Sequence, residues 1–341
     1  MNLKGDTVQK RKAVYFCARS SMERVYGDAE RVEIAERFDM YEHLVTRENW
    51  REHLDALGQA EAIVSSWYGA VLDEELLAAM PKLKIYFYGA GTIQGLMSDA
   101  AWERGIRITN AVSANAIPVA EFCLAQILFS LKHGWKYMQL AKADNPQFWQ
   151  CNKLVPGNYG SKVGIVSFGQ IARKTCELLK PFDLHVYVST SYATPELAAE
   201  LGVTFTSQEE IFKTCDVVSI HLPSNERTRN MIGKDLLETM KTDSTLINTA
   251  RGAVINQAEL IEFLRQRPDV TACIDVTEPE PPETGCPLFE LDNVVLTPHL
   301  AGSMGNETRR MAEYILDEMD RWLAGKPLQY EITREAAKTV A

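Results

Sequence analysis

The sequence predicts an α/β fold built from two doubly wound, parallel-sheet domains. Short apolar runs alternate with helical patterns between residues 13 and 110, and a second alternation begins at Lys162. This alternation is typical of parallel sheets, in which a helix connects each strand to the next. The chain has 341 residues, whereas single hydrophobic cores stop growing at about 250–300 residues. Two separate cores are therefore expected.

In the first half of the chain, four apolar runs are predicted as strands and three segments as helices. The strands lie at 13–18, 62–66, 83–88 and 106–110, and the helices at 47–57, 73–80 and 98–104. A longer helical pattern covers 117–140, with Pro118 near its first turn and Glu121 placed to favour the helix dipole. We expect this helix to connect the two domains.

The second half repeats the strand and helix alternation with six apolar runs. They lie at 163–166, 185–188, 217–222, 245–247, 270–274 and 294–296. Such a series is typical of a doubly wound nucleotide-binding fold. The last helical stretch, 307–323, places Met311, Ile315 and Met319 on one stripe, which is expected to be buried.

Charge and cysteine usage narrow the class of protein. A net charge of -10 without a Lys/Arg cluster argues against a nucleic-acid partner. The seven cysteines are scattered and lack Cys-x-x-Cys spacing, which favours reduced packing thiols and predicts no metal site. The first residues are polar and do not resemble the apolar core of a signal peptide. The most apolar window, 120–131, is too short to span a bilayer. We therefore expect a cytoplasmic protein without a membrane partner.

Three turn-like motifs in the last hundred residues contain the groups best suited to chemistry. Arg251 lies in Asn-Thr-Ala-Arg-Gly, Glu280 in Thr-Glu-Pro-Glu-Pro, and His299 in Thr-Pro-His-Leu-Ala-Gly. Arginine offers a planar, two-pronged donor for a carboxylate. Histidine exchanges a proton near neutral pH, and a carboxylate can orient it and favour its charged form. These three residues are predicted as the catalytic set.

The three motifs resemble the D-isomer-specific 2-hydroxyacid dehydrogenase family. The segments Asp-Val-Val-Ser-Ile-His-Leu-Pro at 216–223 and Pro-Val-Ala-Glu-Phe-Cys-Leu-Ala at 118–125 extend the resemblance over nearly the whole chain. It implies a Rossmann-like dinucleotide-binding domain, 116–305, inserted into a flavodoxin-like substrate-binding domain formed by 1–115 and 306–341. It also implies a homodimer, catalysis in the interdomain cleft, and NAD(P)-dependent interconversion of a D-2-hydroxy acid and its 2-keto acid.

The glycine-rich turn of this family is altered here. The window reads Ser167-Phe168-Gly169-Gln170-Ile171-Ala172 and keeps only the middle one of the three family glycines. That glycine lets the backbone approach a pyrophosphate at the helix N-terminus, whereas the Cβ of Ser167 tightens the turn. By resemblance, further cofactor contacts are expected from Ser191, His221, Pro223, Thr249, Ala250, Asp275 and Gly302.

Thr190 leaves the choice between NAD and NADP open. The family normally places an aspartate here, whose carboxylate accepts from the ribose hydroxyls and repels a 2′-phosphate. Thr190 lies between two serines and has no charge. The three hydroxyls could bind a 2′-phosphate, with Arg173 or Arg227 as counter-charge. They could equally form a solvated strand end, with NAD bound through its other contacts.

The resemblance also assigns roles within the catalytic set. His299 would exchange the proton of the substrate hydroxyl, Glu280 would hold the imidazole, and Arg251 would bind the substrate carboxylate and polarise the carbonyl. Asp275 would contact the nicotinamide carboxamide, or alternatively cap the turn after its strand. Glu278 is nearer to that strand than Glu280 but is out of register with the family's catalytic position.

Two loops of the first domain are expected to bind the substrate. The segment Gly-Ala-Gly-Thr-Ile at 89–93 contains Gly91 and Thr92 and matches the loop whose N–H groups hold the substrate carboxylate in this family. The second loop, 65–69, is unusually aromatic because of Trp67 and Tyr68. These rings could line an enlarged pocket, or they could pack against the domain.

Two alternatives remain open from the sequence. The substrate could be a carbonyl compound without a simple carboxylate. The protein could also be a dinucleotide-sensing binding protein, like the corepressors that share this fold, with the altered glycine turn as its support. The complete set of Arg251, Glu280 and His299 favours an enzyme acting on a small 2-hydroxy or 2-keto acid.

Overall fold

The computed structural model describes residues 9–153 and 155–337, and for residues 150–153 it describes the backbone alone. The chain divides into two compact units. The first unit comprises the residues up to Asn115 and those from Ser303 onward, and the second comprises Ala116–Gly302. The second unit therefore ends at 302, where the sequence predicted a boundary at 305.

The first unit contains a five-stranded parallel sheet. Its strands are β1 (Lys12–Tyr15), β2 (Asp39–Met40), β3 (Ala62–Ser65), β4 (Ile85–Tyr88) and β5 (Arg107–Asn110). Their order is β2-β1-β3-β4-β5, and every pairing is parallel. This is the flavodoxin-like order, in which ligands bind outside the carboxyl ends of the strands near the reversal between β1 and β3.

Helices surround this sheet and complete its core. They are Arg19–Val25, Asp28–Arg37, Leu54–Leu57, Glu74–Ala79, Asp99–Glu103, Glu307–Leu323 and Arg334–Ala337, with a 3-10 helix at Trp50–His53. β3 and β4 are buried along their whole length, as expected for central parallel strands covered on both faces. Met311, Ile315 and Met319 are also fully buried, so the stripe predicted on the last long helix is confirmed.

The second unit contains a seven-stranded parallel sheet. Its strands are β6 (Lys162–Val166), β7 (His185–Ser189), β8 (Thr204–Phe205), β9 (Val217–Ile220), β10 (Thr245–Asn248), β11 (Thr271–Ile274) and β12 (Val294–Leu296). Their order is β12-β11-β10-β9-β6-β7-β8. The strand order reverses between β6 and β9, which is where a Rossmann-type sheet opens a crevice for a dinucleotide. The predicted fold class of two parallel α/β sheets is confirmed.

Helices also connect the strands of the second unit. The α-helices that lie within this unit are Gly134–Lys142, Gln170–Leu179, Pro195–Leu201, Gln208–Thr214, Lys234–Leu237 and Gln257–Gln266. Shorter 3-10 helices lie at Pro146–Lys153, Gly252–Val254 and Pro287–Phe289.

Two helix predictions were wrong in extent. The pattern at 117–140 forms two helices, Val112–Ser130 and Gly134–Lys142, because His133 takes a left-handed φ of 47° between them. The first of these begins before the predicted start and contains the residues at which the chain passes from one unit to the other. The helix predicted at 47–57 begins only at Trp50, and its first part is 3-10.

The helix Val112–Ser130 also corrects the membrane argument from the sequence. It has 19 residues, a mean hydropathy of 1.5 over its best window, and 44% of that window buried. Within the described chain it is the one helix that is long and apolar enough to cross a membrane by composition. A buried core helix passes the same test, so this observation assigns no location.

Candidate active site

His299 lies in the turn after β12, and its imidazole contacts the carboxylate of Glu280. Nδ1 of His299 donates to Oε1 of Glu280. The two side chains are 44% and 39% exposed, so the pair remains open to a ligand. The bond to Glu280 leaves Nε2 as the ring nitrogen available for proton exchange. His299 has a φ of 51°, a conformation that non-glycine residues adopt mainly where the surroundings enforce it.

Asp275, at the end of β11, fixes the turn that carries His299. Its Oδ1 accepts from the Thr297 hydroxyl at 2.6 Å and from the N–H of Leu300 at 2.9 Å, and its Oδ2 accepts from the N–H of Ala301 at 3.0 Å. The N–H of His299 donates to the Asp275 carbonyl at 2.8 Å. Asp275 therefore caps the turn, as one of the two sequence interpretations proposed. Its contact with a nicotinamide carboxamide stays a prediction.

Arg251 lies in the loop after β10, and two neighbours determine the course of that loop. Nδ2 of Asn248 donates to the Arg251 carbonyl at 3.0 Å, and Oδ1 accepts from the N–H of Ala250 at 3.1 Å. A Cβ on Gly252 would lie only 2.0 Å from backbone carbon of Thr277. Glycine is thus required for the Arg251 loop to pack against the segment that leads to Glu280.

Burial and charge both act on the Arg251 side chain. Burial lowers the pKa of Arg251, and the carboxylate of Glu280 acts in the opposite direction. Arginine nevertheless stays charged at neutral pH. Nη1 donates to the Ala250 carbonyl at 2.6 Å, which holds the guanidinium close to the backbone. The half-buried guanidinium of Arg251 therefore interacts electrostatically with the carboxylate that contacts His299.

The second acidic residue of this segment has a different partner. Glu278 pairs with Arg229 at 3.4 Å, and both side chains are exposed. The N–H of Glu278 donates to Oε1 of Gln257 at 2.9 Å. Of the two acids considered from the sequence, the structure brings Glu280 to His299 and keeps Glu278 at the surface.

A cavity of about 440 Å³ adjoins the histidine pair. Pro281, Pro282, Phe289 and Leu296 supply most of its apolar wall. This wall offers an apolar surface to a ligand bound beside the pair.

The altered glycine turn has the geometry of a phosphate-binding turn. It joins β6 to the helix Gln170–Leu179, and Gly169 occupies the N-cap position. A Cβ on Gly169 would meet no atom within 4 Å, so space for a pyrophosphate is open beside this backbone. The N–H groups and the dipole of a ten-residue helix suit such an anion. The residues present therefore fit a dinucleotide.

Ser167 and Phe168 differ from the small, flexible residues expected in a glycine-rich cofactor-binding turn. Ser167 has a φ of 74°, which favours glycine, so the substitution at this position introduces backbone strain. Phe168 is 2% exposed, and its ring lies 6.1 Å from that of Phe205 in the core. Only the backbone of Phe168 is left to contact a cofactor.

Thr190 directly follows β7, at the strand end where the ribose-binding acid was expected. Its hydroxyl accepts from the N–H of Tyr192 at 3.4 Å, and the Tyr192 hydroxyl donates to the Phe168 carbonyl. The strand end therefore lies beside the glycine turn. The Arg173 guanidinium lies 4.8 Å from the Phe168 ring centroid and is the candidate counter-charge placed at this turn. Ser191 is exposed next to Thr190.

The remaining cofactor candidates lie at the same edge of the sheet, after β9, β10 and β12. His221 is buried, its Nε2 lies 2.9 Å from the Ser219 hydroxyl, and burial lowers its pKa to about 4. His221 is therefore neutral at pH 7. The Thr249 hydroxyl lies 3.2 Å from Sγ of Cys123. Pro223 accepts a hydrogen bond through its carbonyl within the loop after β9, and Gly302 ends the unit.

In the first unit, the predicted substrate residues lie after the adjacent strands β3 and β4. Tyr68 is 70% exposed and has a φ of 58°. The Ser66 hydroxyl donates to the Gly89 carbonyl at 3.2 Å, which ties the two loops together. A Cβ on Gly91 would meet no atom within 4 Å, and Thr92 accepts from a backbone N–H within its own loop.

Sequence reasoning missed the groups that position this site. Asn248 and Gly252 belong to the Arg251 motif but were assigned no role from the sequence. Arg24, which lines a cavity beside Tyr68, was not predicted as a site residue. Residues 9–153 and 155–337 contain no cluster of three or more His, Cys, Asp or Glu side chains that could hold a metal. Six cysteines are buried and free, and the side chain of Cys151 lies outside the description.

Comparison with known proteins identifies the family of this chain. The model of the D-isomer specific 2-hydroxyacid dehydrogenase NAD-binding domain matches residues 124–301. The chain belongs to the D-isomer-specific 2-hydroxyacid dehydrogenase family. The resemblance predicted from the three motifs is thereby confirmed. The family is one of oxidoreductases with a nicotinamide dinucleotide-binding domain.

Individual relatives in this family differ in length. D-3-phosphoglycerate dehydrogenase of Mycobacterium leprae is 31% identical over 277 residues, covering 80% of this chain and 51% of the relative. The chain thus spans about half the length of that enzyme. Glyoxylate reductase of Aeropyrum pernix is 30% identical over 278 residues, covering 78% of this chain and 81% of the relative.

The solved structure of D-mandelate dehydrogenase from Rhodotorula graminis has the same fold. It superimposes with a TM-score of 0.81 at 24% identity and covers 95% of this chain and 98% of that chain.

Proposed function

We propose that this protein is an NAD(P)-dependent oxidoreductase that interconverts a D-2-hydroxy acid and its 2-keto acid. The observation that carries the proposal is the bond between Nδ1 of His299 and the Glu280 carboxylate, with the Arg251 cation close by. All three lie beyond the carboxyl ends of strands in a Rossmann-type sheet, the edge at which such sheets bind ligands. In this proposal the second unit binds the dinucleotide and the first unit binds the substrate.

The roles of the three side chains follow from their chemistry. A nicotinamide bound in the second unit would supply a hydride to the carbonyl carbon in reduction and take one from the hydroxyl-bearing carbon in oxidation. Nε2 of His299 donates a proton to the carbonyl oxygen in reduction and accepts it in oxidation. Glu280 holds the ring through Nδ1 and balances the charge of the protonated imidazole. Arg251 binds the substrate carboxylate through its two-pronged guanidinium and draws charge from the adjacent carbonyl.

The cofactor would be held by the turn at 167–171 and by the loops after the neighbouring strands. The turn offers backbone N–H groups for the pyrophosphate, and Thr190 with Ser191 lies where the adenosine ribose belongs. Because Thr190 has no charge and Arg173 lies at the same turn, we propose that discrimination between NAD and NADP is weak or favours NADP.

The direct experiment follows the absorbance of the reduced nicotinamide while a panel of 2-keto acids is offered with NADH and with NADPH. His299→Ala should lower kcat by roughly 10²- to 10⁴-fold and leave cofactor affinity nearly intact. Arg251→Lys should mainly lower kcat/KM, because a point charge cannot reproduce the two-pronged contact. Cofactor binding without turnover of any keto acid would instead support the dinucleotide-sensing alternative.

The proposal extends to the setting of the enzyme. We expect a cytoplasmic homodimer without a nucleic-acid or membrane partner, because the chain has a net charge of -10 and resembles this family throughout. Analytical ultracentrifugation of the purified protein tests the dimer.

A further inference from the structure

The first unit contains a cavity of about 430 Å³ next to the predicted substrate loops. Its lining residues are Ser20, Ser21, Arg24, Trp67 and Tyr68. The two aromatic residues directly follow β3, and the loop they belong to is tied to the loop after β4. The cavity therefore adjoins the loop proposed to hold the substrate carboxylate and is large compared with a keto acid of two or three carbons.

Arg24 places a positive charge in this cavity. Its guanidinium lies 4.8 Å from the Trp67 ring centroid, and Nη2 donates to the Ser303 carbonyl at 2.9 Å. These two contacts hold the side chain in place. Among the residues that the structure describes, no carboxylate lies within ion-pair distance of Arg24. Arg19, on the same helix, contrasts with it because it pairs with Glu23 at 3.9 Å.

The turn beside Arg24 has an enforced conformation. Tyr68 has a φ of 58°, which is rare for a bulky residue, and its ring remains 70% exposed. The next residue, Gly69, admits no side chain, since a Cβ would lie 2.3 Å from the Tyr86 hydroxyl. Strained backbone of this kind is concentrated at functional sites. The surroundings thus hold an aromatic ring at the cavity mouth instead of letting it pack inward.

We propose that this cavity binds a second anionic group of the substrate, so that the enzyme acts on 2-hydroxy and 2-keto acids with a phosphate or carboxylate at the far end. A guanidinium without a counter-charge, flanked by two serine hydroxyls, is the donor set that such anions require. Trp67 lies against the guanidinium, and Nη2 is engaged by the Ser303 carbonyl and by Sδ of Met304. Nη1 and Nε would therefore donate to the anion, and Tyr68 would contact the carbon chain between the two charged ends. This inference rests on the proposed function.

The experiment compares matched substrates that differ only in the tail. The pairs are 2-oxoadipate with 2-oxohexanoate for a carboxylate, and 3-phosphohydroxypyruvate with hydroxypyruvate for a phosphate. For wild-type enzyme we expect kcat/KM to be higher for the dianion in at least one pair by about tenfold or more, mainly through KM. The pair with the larger ratio tells which anion the cavity prefers.

Variants of Arg24 then test whether this residue causes the preference for dianionic substrates. Arg24→Gln should lower the dianion-to-monoanion ratio by roughly 10- to 100-fold, and Arg24→Lys should keep part of it. The matched control is Arg19→Gln, which removes an equal charge from the same helix outside the cavity and should keep the wild-type ratio. Absence of a dianion preference in wild type, or equal losses on both members of a pair in Arg24→Gln, would overturn the inference.

Failure of the proposed function would give a different result. If neither mono- nor dianionic keto acids are reduced, the dehydrogenase proposal fails. The cavity can then be tested by calorimetric titration with 2-oxoadipate and with 3-phosphohydroxypyruvate. Binding that Arg24→Gln abolishes and Arg19→Gln retains supports the anion site, whereas equal binding by all three proteins, or none by wild type, overturns it.

Discussion

Among single residues, unusual backbone geometry is found at several predicted site positions. The described chain contains seven non-glycine residues with positive φ, and three of them are Tyr68, Ser167 and His299. The sequence indicated a substrate, cofactor or catalytic role for these three residues, but not their φ angles. The turn of His299, for example, is fixed by the hydrogen bonds that Asp275 accepts from the N–H groups of Leu300 and Ala301. The sequence therefore allowed these residues to be predicted as site residues, but it did not indicate their left-handed backbone conformation.

The acid that serves His299 can be identified by comparing Glu280 with Glu278, which lies two positions before it. Glu280→Gln keeps the shape of the side chain but removes its charge, so kcat/KM for keto-acid reduction should fall by about tenfold or more. Glu278→Gln is the matched control, since Glu278 pairs with Arg229 at the surface. Measurements of kcat/KM for both variants test the assignment, and equal losses in the two would show that Glu280 has no special role.

His221 makes the folded state sensitive to acid. Burial lowers its pKa from 6.5 to about 4, so the unfolded chain takes up a proton before the folded chain does as the pH falls. The stability that depends on neutral His221 is fully present above pH 6.5 and is lost between pH 6.5 and about 4. The shift corresponds to about 3 kcal/mol at this buried site.

Urea unfolding of wild type and His221→Gln at several pH values measures this contribution. The difference in unfolding free energy between the two proteins should change in favour of the variant as the pH falls through this range. A difference that is independent of pH would show that His221 does not titrate in this way.

Among the elements, strands were predicted better than helix ends. The apolar runs marked the longer strands to within a few residues because central parallel strands are buried on both faces. The two-residue strands β2 and β8 gave no such signal. The break after Ser130 also escaped prediction, because the sequence pattern does not indicate the left-handed φ of His133. At this break the N–H of Gly157 donates to the Leu131 carbonyl at 3.0 Å.

The turn between β6 and its helix offers a test of stored strain. Ser167→Gly should raise the free energy of unfolding by about 0.5–1 kcal/mol, because the gain from relieving a left-handed serine exceeds the entropy cost of glycine. It should also tighten cofactor binding by allowing closer approach of the pyrophosphate. Ser167→Ala keeps the Cβ and is the control. Denaturant titrations and cofactor titrations of both variants check this; if Ala stabilises as much as Gly, the strain at this turn is not the cause.

The end of β7 tests cofactor choice. Thr190→Asp introduces a carboxylate that accepts from the ribose hydroxyls and opposes a 2′-phosphate, two effects of the same sign. The variant should gain preference for NADH over NADPH by about tenfold or more, or at least about 1.4 kcal/mol of differential binding. Ala193→Asp adds the same charge three residues away at an exposed position and serves as control. If kcat/KM ratios respond equally in both variants, or in neither, Thr190 does not face the ribose.

In the whole molecule, each unit has its own sheet and its own core. The core of the first unit includes Met311, Ile315 and Met319 from the last long helix, and Arg37 pairs with Asp320 of that helix through contacts of 2.7 and 2.8 Å. The alternation of runs predicted two sheets. The return of this helix to the first unit could not be derived from periodicity, because it depends on contacts between residues nearly three hundred positions apart, and only the family resemblance implied it.

Separate cores lead to a prediction for unfolding of the full chain. The buried apolar clusters of the second unit contain only residues between 116 and 302, and that of the first unit contains none of them. Scanning calorimetry should therefore resolve two transitions. A cofactor that binds the second unit at a hundred times its dissociation constant should stabilise that transition by about 2.7 kcal/mol. For a unit of this size the shift is roughly 5–10 °C, and the other transition should stay in place. Ser167→Gly should move the same transition as NADH, which identifies it. A single transition that shifts as one with cofactor would show that the two cores unfold together.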